Sequence, residues 1–154
     1  MSYPDSPDVL IVGCGDTGIR VARLEQAAGR VVAALARSPD SAEKLAGAGI
    51  QVVRGDLDDP AARPELPRKP RTLYWFAPPP DTGRNDPRLA RFLAGLTAAH
   101  CPDKLVYIST SGVYGDCAGD WVREDRPPNP GTDRAKRRLA AEQCLADWCT
   151  SRGV

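Results

Sequence analysis

The sequence has little of what a metal site needs. It contains one histidine, His100, and five cysteines with no C-x-x-C pair among them. Metal sites of the zinc type draw on clustered Cys and His ligands, so we expect no metal site. An odd number of cysteines gives no disulfide framework, and we expect reduced thiols, as in a cytoplasmic protein.

The sequence also lacks the features of membrane, secreted and nucleic-acid-binding proteins. No apolar run approaches the roughly 18–20 residues that cross a bilayer. The N-terminus has neither the basic start nor the apolar stretch of a signal peptide. The net charge of +1 gives no reason to expect a nucleic acid or an anionic membrane as partner. For 154 residues we expect a loose leader over 1–8 and one domain over 9–154.

A glycine turn between two apolar runs organises the chain. The run Val9–Val12 leads into Gly13-Cys14-Gly15-Asp16-Thr17-Gly18, a helix-compatible stretch covers Ile19–Ala28, and Val31–Leu35 is apolar again. Strand, turn, helix and strand in this order predict a βαβ unit. Its first turn reads G-x-G-x-x-G, a pattern typical of dinucleotide binding.

The residues of this turn have distinct physical roles. Gly13 permits the tight turn, Gly15 lets a pyrophosphate approach the backbone, and Gly18 lets the helix pack closely on the strand. The start of the helix, with Asp16 and Thr17, presents free N–H groups and the positive end of the helix dipole to phosphates. The alternative is a glycine turn in an α/β domain that binds no cofactor.

No carboxylate follows the second strand, where an Asp or Glu would accept the ribose hydroxyls of NAD. Leu35-Ala36-Arg37-Ser38 occupies this region. A guanidinium beside a hydroxyl suits the 2′-phosphate of NADP, because Arg offers a planar fork of donors. We therefore predict NADP rather than NAD as the cofactor. The alternative for Arg37 is an ordinary solvated loop residue.

Strand and helix patterns alternate along the rest of the chain. The further predicted strands are Ile50–Val53, Leu73–Ala77 and Leu105–Ile108. The further predicted helices are Asp40–Ala48, Pro87–Ala99 with Asp86 as its N-cap, and a last helix from Thr132 or Asp133 to Cys149, after a loop over 112–131. This alternation predicts an α/β protein with a doubly wound parallel sheet.

Ligands of such sheets bind past the carboxyl ends of the strands. Asp56 and Leu57 follow the third strand, where Asp56 can accept a hydrogen bond from the adenine amino group. The alternative is a turn or helix cap in the region Asp58-Asp59-Pro60. Ala77 and Pro78 end the fourth strand. We count Asp56, Leu57, Ala77 and Pro78 among the cofactor-binding residues.

Four segments resemble the extended short-chain dehydrogenase/reductase superfamily, in its NAD-dependent epimerase/dehydratase-like branch. They are Gly13–Gly18, Gly55-Asp56-Leu57, Ser109–Asp116 and Thr132–Lys136. The resemblance implies a Rossmann-type sheet with helices on both faces, a nicotinamide cofactor, and a catalytic set of Ser/Thr, Tyr and Lys. Thr110 matches the Ser/Thr that holds the substrate oxygen, with Ser109 and Ser111 as alternatives. Lys136 matches the Lys that binds the nicotinamide ribose.

The chain departs from this family in its glycine turn and its catalytic tyrosine. G-x-G-x-x-G stands in place of the usual G-x-x-G-x-x-G, as in an atypical subgroup. The family's Y-x-x-x-K appears as Thr132-x-x-x-Lys136, whose spacing puts both side chains on one helical face. An aliphatic hydroxyl is a far weaker acid than a phenol, so Thr132 is a poor proton donor. Tyr114 is a conceivable substitute, although a packing role is favoured.

The chain also stops at Val154, where members of the family usually continue into a substrate-binding region. A fragment of a longer product, a truncated gene and a domain completed by a partner all remain open. In each case we expect an incomplete substrate pocket, and the sequence does not identify the substrate. The resemblance further implies a homodimer formed through the helices Pro87–Ala99 and Thr132–Cys149.

Two functions are consistent with these patterns. The first is an NADP-dependent oxidoreductase or epimerase-like enzyme that moves a hydride between the nicotinamide and a carbonyl or sugar-like substrate. Its catalytic residues would be Thr110, Thr132 and Lys136. The second is a non-catalytic NADP-binding module or sensor, favoured by the missing Tyr and C-terminal region. A structural domain without a cofactor is a third possibility.

Overall fold

The structure is a computed structural model that describes residues 6–59, 61–62 and 64–154. The chain forms two compact units. The first comprises the chain up to Pro78, Gly95–Tyr107 and Val154, and the second comprises Pro79–Ala94 and Ile108–Gly153. Among the described residues, no helix is both long and apolar enough to cross a membrane.

The ordered fold begins before the predicted domain boundary at Val9. Residues 1–5 of the predicted leader lie outside the described residues. Pro7 is fully buried. Asp8 N donates to Val31 O at 2.9 Å, and Asp8 Oδ2 accepts from Val31 N at 3.0 Å. These bonds extend the pairing of the first two strands by one residue, so the end of the predicted leader belongs to the fold.

The first unit is built on a parallel sheet with the strand order β3-β2-β1-β4-β5. The strands are β1 Val9–Val12, β2 Val32–Ala36, β3 Gln51–Arg54, β4 Thr72–Trp75 and β5 Lys104–Tyr107. The order reverses between β1 and β4, which are neighbours in the sheet but not in sequence. This topology confirms the predicted Rossmann-like α/β fold, and every strand lies within two residues of its predicted bounds.

Two helices connect the first three strands. They are α1 Asp16–Ala27 and α2 Pro39–Gly47. α1 begins three residues before its predicted start, because Gly15 serves as its N-cap. The core around them consists of buried apolar side chains of β1, β2, α1 and α2 and of the residue before β3: Val9, Ile11, Ala22, Val32, Ala34, Ala36, Leu45 and Ile50.

Helix α3 spans Pro87–Gly95. Asp86 caps it as predicted, because Asp86 Oδ1 accepts from Arg88 N and Leu89 N, each at 3.1 Å. The predicted end at Ala99 is wrong, since the helix stops at Gly95, although the apolar spacing continues to the buried Leu96. His100 lies in a turn beyond the helix, with its Nδ1 2.9 Å from the Thr97 hydroxyl.

Helix α4 is the longest element and belongs to the second unit. It spans Asp133–Arg152, three residues further than predicted, and Gly153 ends it in the left-handed conformation. The Trp148 indole N–H donates to Leu93 O at 3.1 Å and so ties α4 to α3. The predicted loop over 112–131 begins with a 3₁₀ turn, Ser111–Tyr114.

Candidate functional site

The glycine loop is fixed by a close approach to the end of β4. Gly13 has φ of +91°, and a Cβ at this position would lie only 2.2 Å from Ala77 N. Ala77 N and Phe76 N both donate to Val12 O, at 3.0 and 2.7 Å. The structure thus brings together two predicted cofactor-binding residues, Gly13 and Ala77. Pro78 follows them and is exposed.

The N-terminus of α1 is open to solvent at Gly15. No side chain caps this helix end, and a Cβ at Gly15 would have no neighbour within 4 Å. Asp16 and Thr17 are exposed in the first turn. The Asp16 carboxylate accepts from Arg20 Nε at 3.0 Å, so its negative charge is partly offset. The loop therefore presents unsatisfied N–H groups with room for a phosphate beside them.

Gly18 and Cys14 pack against each other inside the loop. A Cβ at Gly18 would lie 3.2 Å from Cys14 Sγ and from Gly13 O, so a side chain there would push the helix off the turn. Burial raises the pKa of the Cys14 thiol to about 11. This thiol stays neutral at physiological pH and adds no negative charge to the loop.

Past the end of β2, Arg37 is exposed and Ser38 caps α2. Ser38 Oγ accepts from Ser41 N at 3.2 Å, and Ser41 Oγ accepts from Ser38 N at 3.2 Å. The Ser38 hydroxyl is therefore engaged in the helix cap. Arg54, the last residue of β3, donates from its guanidinium to Ser38 O at 2.8 Å. The sequence analysis predicted neither the contact of Ser41 with Ser38 nor that of Arg54 with Ser38. The basic residue just after the predicted third strand could have indicated the contact of Arg54.

Asp56 and Leu57 lie past the end of β3 and are half-buried. Asp56 Oδ1 accepts from Asp58 N at 2.9 Å, and Asp59 Oδ1 accepts from Ala61 N at 2.8 Å. The turn role that was considered for Asp58 and Asp59 is thus shared by Asp56. Asp56 N also donates to Ala62 O at 3.2 Å, which holds this loop in place.

The segment that matches the catalytic Ser/Thr lies in the second unit. Thr110 is the N-cap of the 3₁₀ turn, and its Oγ1 accepts from Gly112 N at 3.3 Å. The Ser109 hydroxyl donates to the Glu142 carboxylate of α4. Among the described residues, the Thr110 hydroxyl thus keeps a free donor and the Ser109 hydroxyl does not.

Thr132 precedes the helix that carries Lys136. It is the N-cap of α4, outside the helix, and its Oγ1 accepts from Ala135 N at 3.2 Å. Lys136 Nζ lies 3.7 Å from Asp133 Oδ1, which also accepts from Arg84 Nε at 3.0 Å. The Thr132 hydroxyl is thus engaged with the backbone of the first turn of α4, which the spacing alone did not indicate.

The predicted site residues fall into two groups. The glycine loop, Arg37-Ser38, Asp56-Leu57 and Ala77-Pro78 belong to the first unit, and Thr110, Thr132 and Lys136 belong to the second. Within the part of the chain that the structure describes, no three His, Cys, Asp or Glu side chains are grouped to hold a metal ion.

The family comparison concerns the start of the chain. Residues 9–64 match the TrkA-N domain model, which covers the glycine loop, Arg37, Ser38, Asp56 and Leu57. No curated protein matches the chain significantly.

Solved structures share the fold over most of the chain. A functionally unknown conserved protein from Silicibacter pomeroyi is 28% identical, with a TM-score of 0.69 over 89% of this chain and 46% of its own. A UDP-glucuronic acid 4-epimerase from Bacillus cereus, in complex with NAD, is 18% identical, with a TM-score of 0.73 over 95% of this chain and 53% of its own. A short-chain dehydrogenase/reductase superfamily protein from Agrobacterium tumefaciens with bound NAD is 21% identical, with a TM-score of 0.65 over 89% of this chain and 43% of its own.

These comparisons confirm the predicted resemblance to epimerase/dehydratase and short-chain dehydrogenase/reductase proteins at the level of the fold. A Rossmann-type parallel sheet is present, and the TrkA-N model matches its first three strands. The chain spans about half the length of the structures that it matches.

Proposed function

We propose that this chain binds NADP in its first unit and serves hydride transfer between NADP and a carbonyl or sugar-like substrate. The observation that supports the cofactor site best is the uncapped N-terminus of α1 at Gly15. A pyrophosphate placed there would receive backbone N–H bonds and the favourable end of the helix dipole. Two of the fold neighbours contain bound NAD, which supports a dinucleotide as the ligand.

The choice of NADP rests on the end of β2. Ala36 is buried, Arg37 is exposed, and no carboxylate stands where the ribose hydroxyls of NAD would be accepted. A guanidinium can bind a 2′-phosphate through two parallel charge-assisted bonds. Ser38 would contribute less than its position in sequence suggested, because its hydroxyl is engaged with Ser41.

We predict that Arg37→Ala weakens NADPH about tenfold or more and leaves NADH within about twofold, since only NADPH has the phosphate that Arg37 would contact. Calorimetric titration of wild type and Arg37→Ala, each with NADPH and with NADH, measures these changes in affinity. Equal losses for NADPH and NADH would show that Arg37 does not read the 2′-phosphate.

For the chemistry, Thr110 would hydrogen-bond the substrate oxygen and Lys136 would hold the nicotinamide ribose. The nicotinamide, when bound, accepts or supplies the hydride, and the protein residues orient the reactants. Thr132 would contribute a hydrogen bond rather than a proton, because an aliphatic hydroxyl is a weak acid.

A non-catalytic NADP-binding module is the second candidate. The position of the family tyrosine is filled by Thr132, whose hydroxyl is committed to capping α4, and this observation favours a chain without turnover. The two candidates differ in whether bound NADPH is consumed when carbonyl compounds are added. Consumption that is lost in Thr110→Val, with NADPH affinity unchanged, supports the enzyme. Tight NADPH binding without consumption by the folded wild-type chain supports the module.

We also propose a cytoplasmic location and a homodimer for this protein. All five cysteines are free thiols. This agrees with the cytoplasmic location expected from the sequence. A homodimer is proposed from the family resemblance, and light scattering that shows a monomer at high concentration would contradict it.

A further inference from the structure

We propose that Arg54, at the end of β3, is the second cation of the 2′-phosphate site and fixes the turn that carries Arg37. This inference rests on the proposed binding of NADP, and it assigns a specificity-determining residue on a different strand from Arg37. Its observations are the strand register, a hydrogen bond to the Ser38 carbonyl, and the absence of a described counter-ion.

The parallel register places Arg54 beside the end of β2. Ala36 pairs with Arg54 in the ladder between β2 and β3, and Gly55 N donates to Ala36 O at 3.2 Å. Adjacent strands lie about 4.8 Å apart. Arg54 and Arg37 therefore leave the same edge of the sheet from neighbouring strands.

The Arg54 guanidinium is anchored on the turn after Arg37. It donates to Ser38 O at 2.8 Å, and this carbonyl also accepts from Ser41 Oγ at 2.8 Å and from Ala42 N at 3.1 Å. A guanidinium has five N–H donors in a planar fork. One of them holds the turn, so the others remain for an anion bound beside it.

The charges of Arg37 and Arg54 are not neutralised by a carboxylate among the described residues. By contrast, carboxylates form ion pairs with several other described arginines, among them Arg20, Arg30, Arg84 and Arg126. The acidic residue of the first turn of α2, Asp40, is exposed and forms no ion pair among the described residues. An anion bound near the ends of β2 and β3 would be attracted by both of these positive charges.

A phosphomonoester dianion fits this arrangement. It carries two negative charges and three acceptor oxygens, and it accepts parallel bonds from two arginine forks. The 2′-phosphate of NADP supplies this group at the end of β2, and a phosphate on another carbon of the ribose has the same chemistry. The geometry therefore leads to a test that compares 2′- and 3′-phosphates.

The test is calorimetric titration of wild type, Arg54→Ala and the control Arg71→Ala with NADPH, NADH, 2′,5′-ADP and 3′,5′-ADP. Arg71 is an exposed arginine that precedes β4, at the opposite edge of the sheet. We expect Arg54→Ala to weaken NADPH and 2′,5′-ADP about tenfold or more, to leave NADH within about twofold, and to reduce the salt dependence of NADPH binding. Arg71→Ala should match wild type with all four ligands.

The outcomes separate this inference from the proposed function. If wild type binds NADPH selectively and Arg54→Ala binds it with the same affinity, the role of Arg54 is overturned, while the proposed function stands. Parallel losses of NADPH and NADH in Arg54→Ala would also overturn it, because a merely structural role predicts them. Equal binding of 2′,5′-ADP and 3′,5′-ADP would overturn the 2′-phosphate as the ligand. Failure of the folded wild type to bind either cofactor would overturn the proposed function and this inference together.

Discussion

At the residue scale, the buried Glu25 carboxylate is satisfied by two polar partners. Its carboxylate accepts from the Tyr74 hydroxyl at 2.5 Å and forms an ion pair with Arg30. The hydrogen bond to Glu25 raises the pKa of Tyr74. The proton of this phenol is therefore more tightly held in the folded chain than in the unfolded one.

We predict that Tyr74→Phe lowers the free energy of unfolding by about 1–2 kcal/mol, because a buried carboxylate loses a donor. Urea unfolding at neutral pH measures this. Since the folded pKa of Tyr74 is raised, the difference between wild type and variant should be full below pH 10 and shrink as the pH rises beyond it. Tyr114→Phe is the control, as no hydrogen bond of the Tyr114 hydroxyl is described. Equal effects of the two changes would contradict this account.

The thiol of Cys14 gives a second prediction at this scale. Burial raises its pKa from 9.0 to about 11, and the thiolate is the reactive form. At pH 8 we expect iodoacetamide to alkylate Cys14 about a hundredfold more slowly in the folded chain than in urea, as followed by peptide mass spectrometry. Stability conferred by the neutral thiol is present below pH 9 and is lost as the pH rises through 11. Equal alkylation rates in the two states would show that the loop is open.

At the element scale, α4 depends on the cap that Thr132 provides. Thr132 Oγ1 accepts from Ala135 N, so Thr132→Ala should destabilise the protein by about 1 kcal/mol, whereas Thr132→Ser should be close to wild type. Urea unfolding of the three chains tests this. A stability loss shared by the Ser variant, or none in the Ala variant, would show that the hydroxyl does not cap the helix.

The elements also show which structure is readable from sequence. Short apolar runs predicted all five strands, because the strands of a parallel sheet are largely covered on both faces. The end of α3 was missed, because the apolar spacing continues through Leu96 while Gly95 ends the helix. Apolar residues at helical spacing indicate which side chains are buried, and they do not show where the helix ends. Leu96 is buried although it lies outside the helix.

At the scale of the whole molecule, the sheet topology was predictable and the side-chain contacts across it were not. The G-x-G-x-x-G pattern predicted the loop at Gly13–Gly18, since its geometry is local. Arg54 was missed because its contact with Ser38 depends on the register of β2 and β3, which the sequence does not state. Thr132 was assigned to a helical face from its spacing, and only the three-dimensional structure shows that it caps the helix.

The most direct test of the central claim, that the Gly13–Gly18 loop binds a dinucleotide, is calorimetric titration of NADPH into wild type and Gly15→Val. No atom lies within 4 Å of a Cβ at Gly15, so the variant should keep its fold while its side chain fills the pyrophosphate path. Gly47→Val, at a site equally open, is the control. We predict binding by wild type and Gly47→Val and none by Gly15→Val. Equal affinity of a folded Gly15→Val, or no binding by folded wild type, would contradict the account.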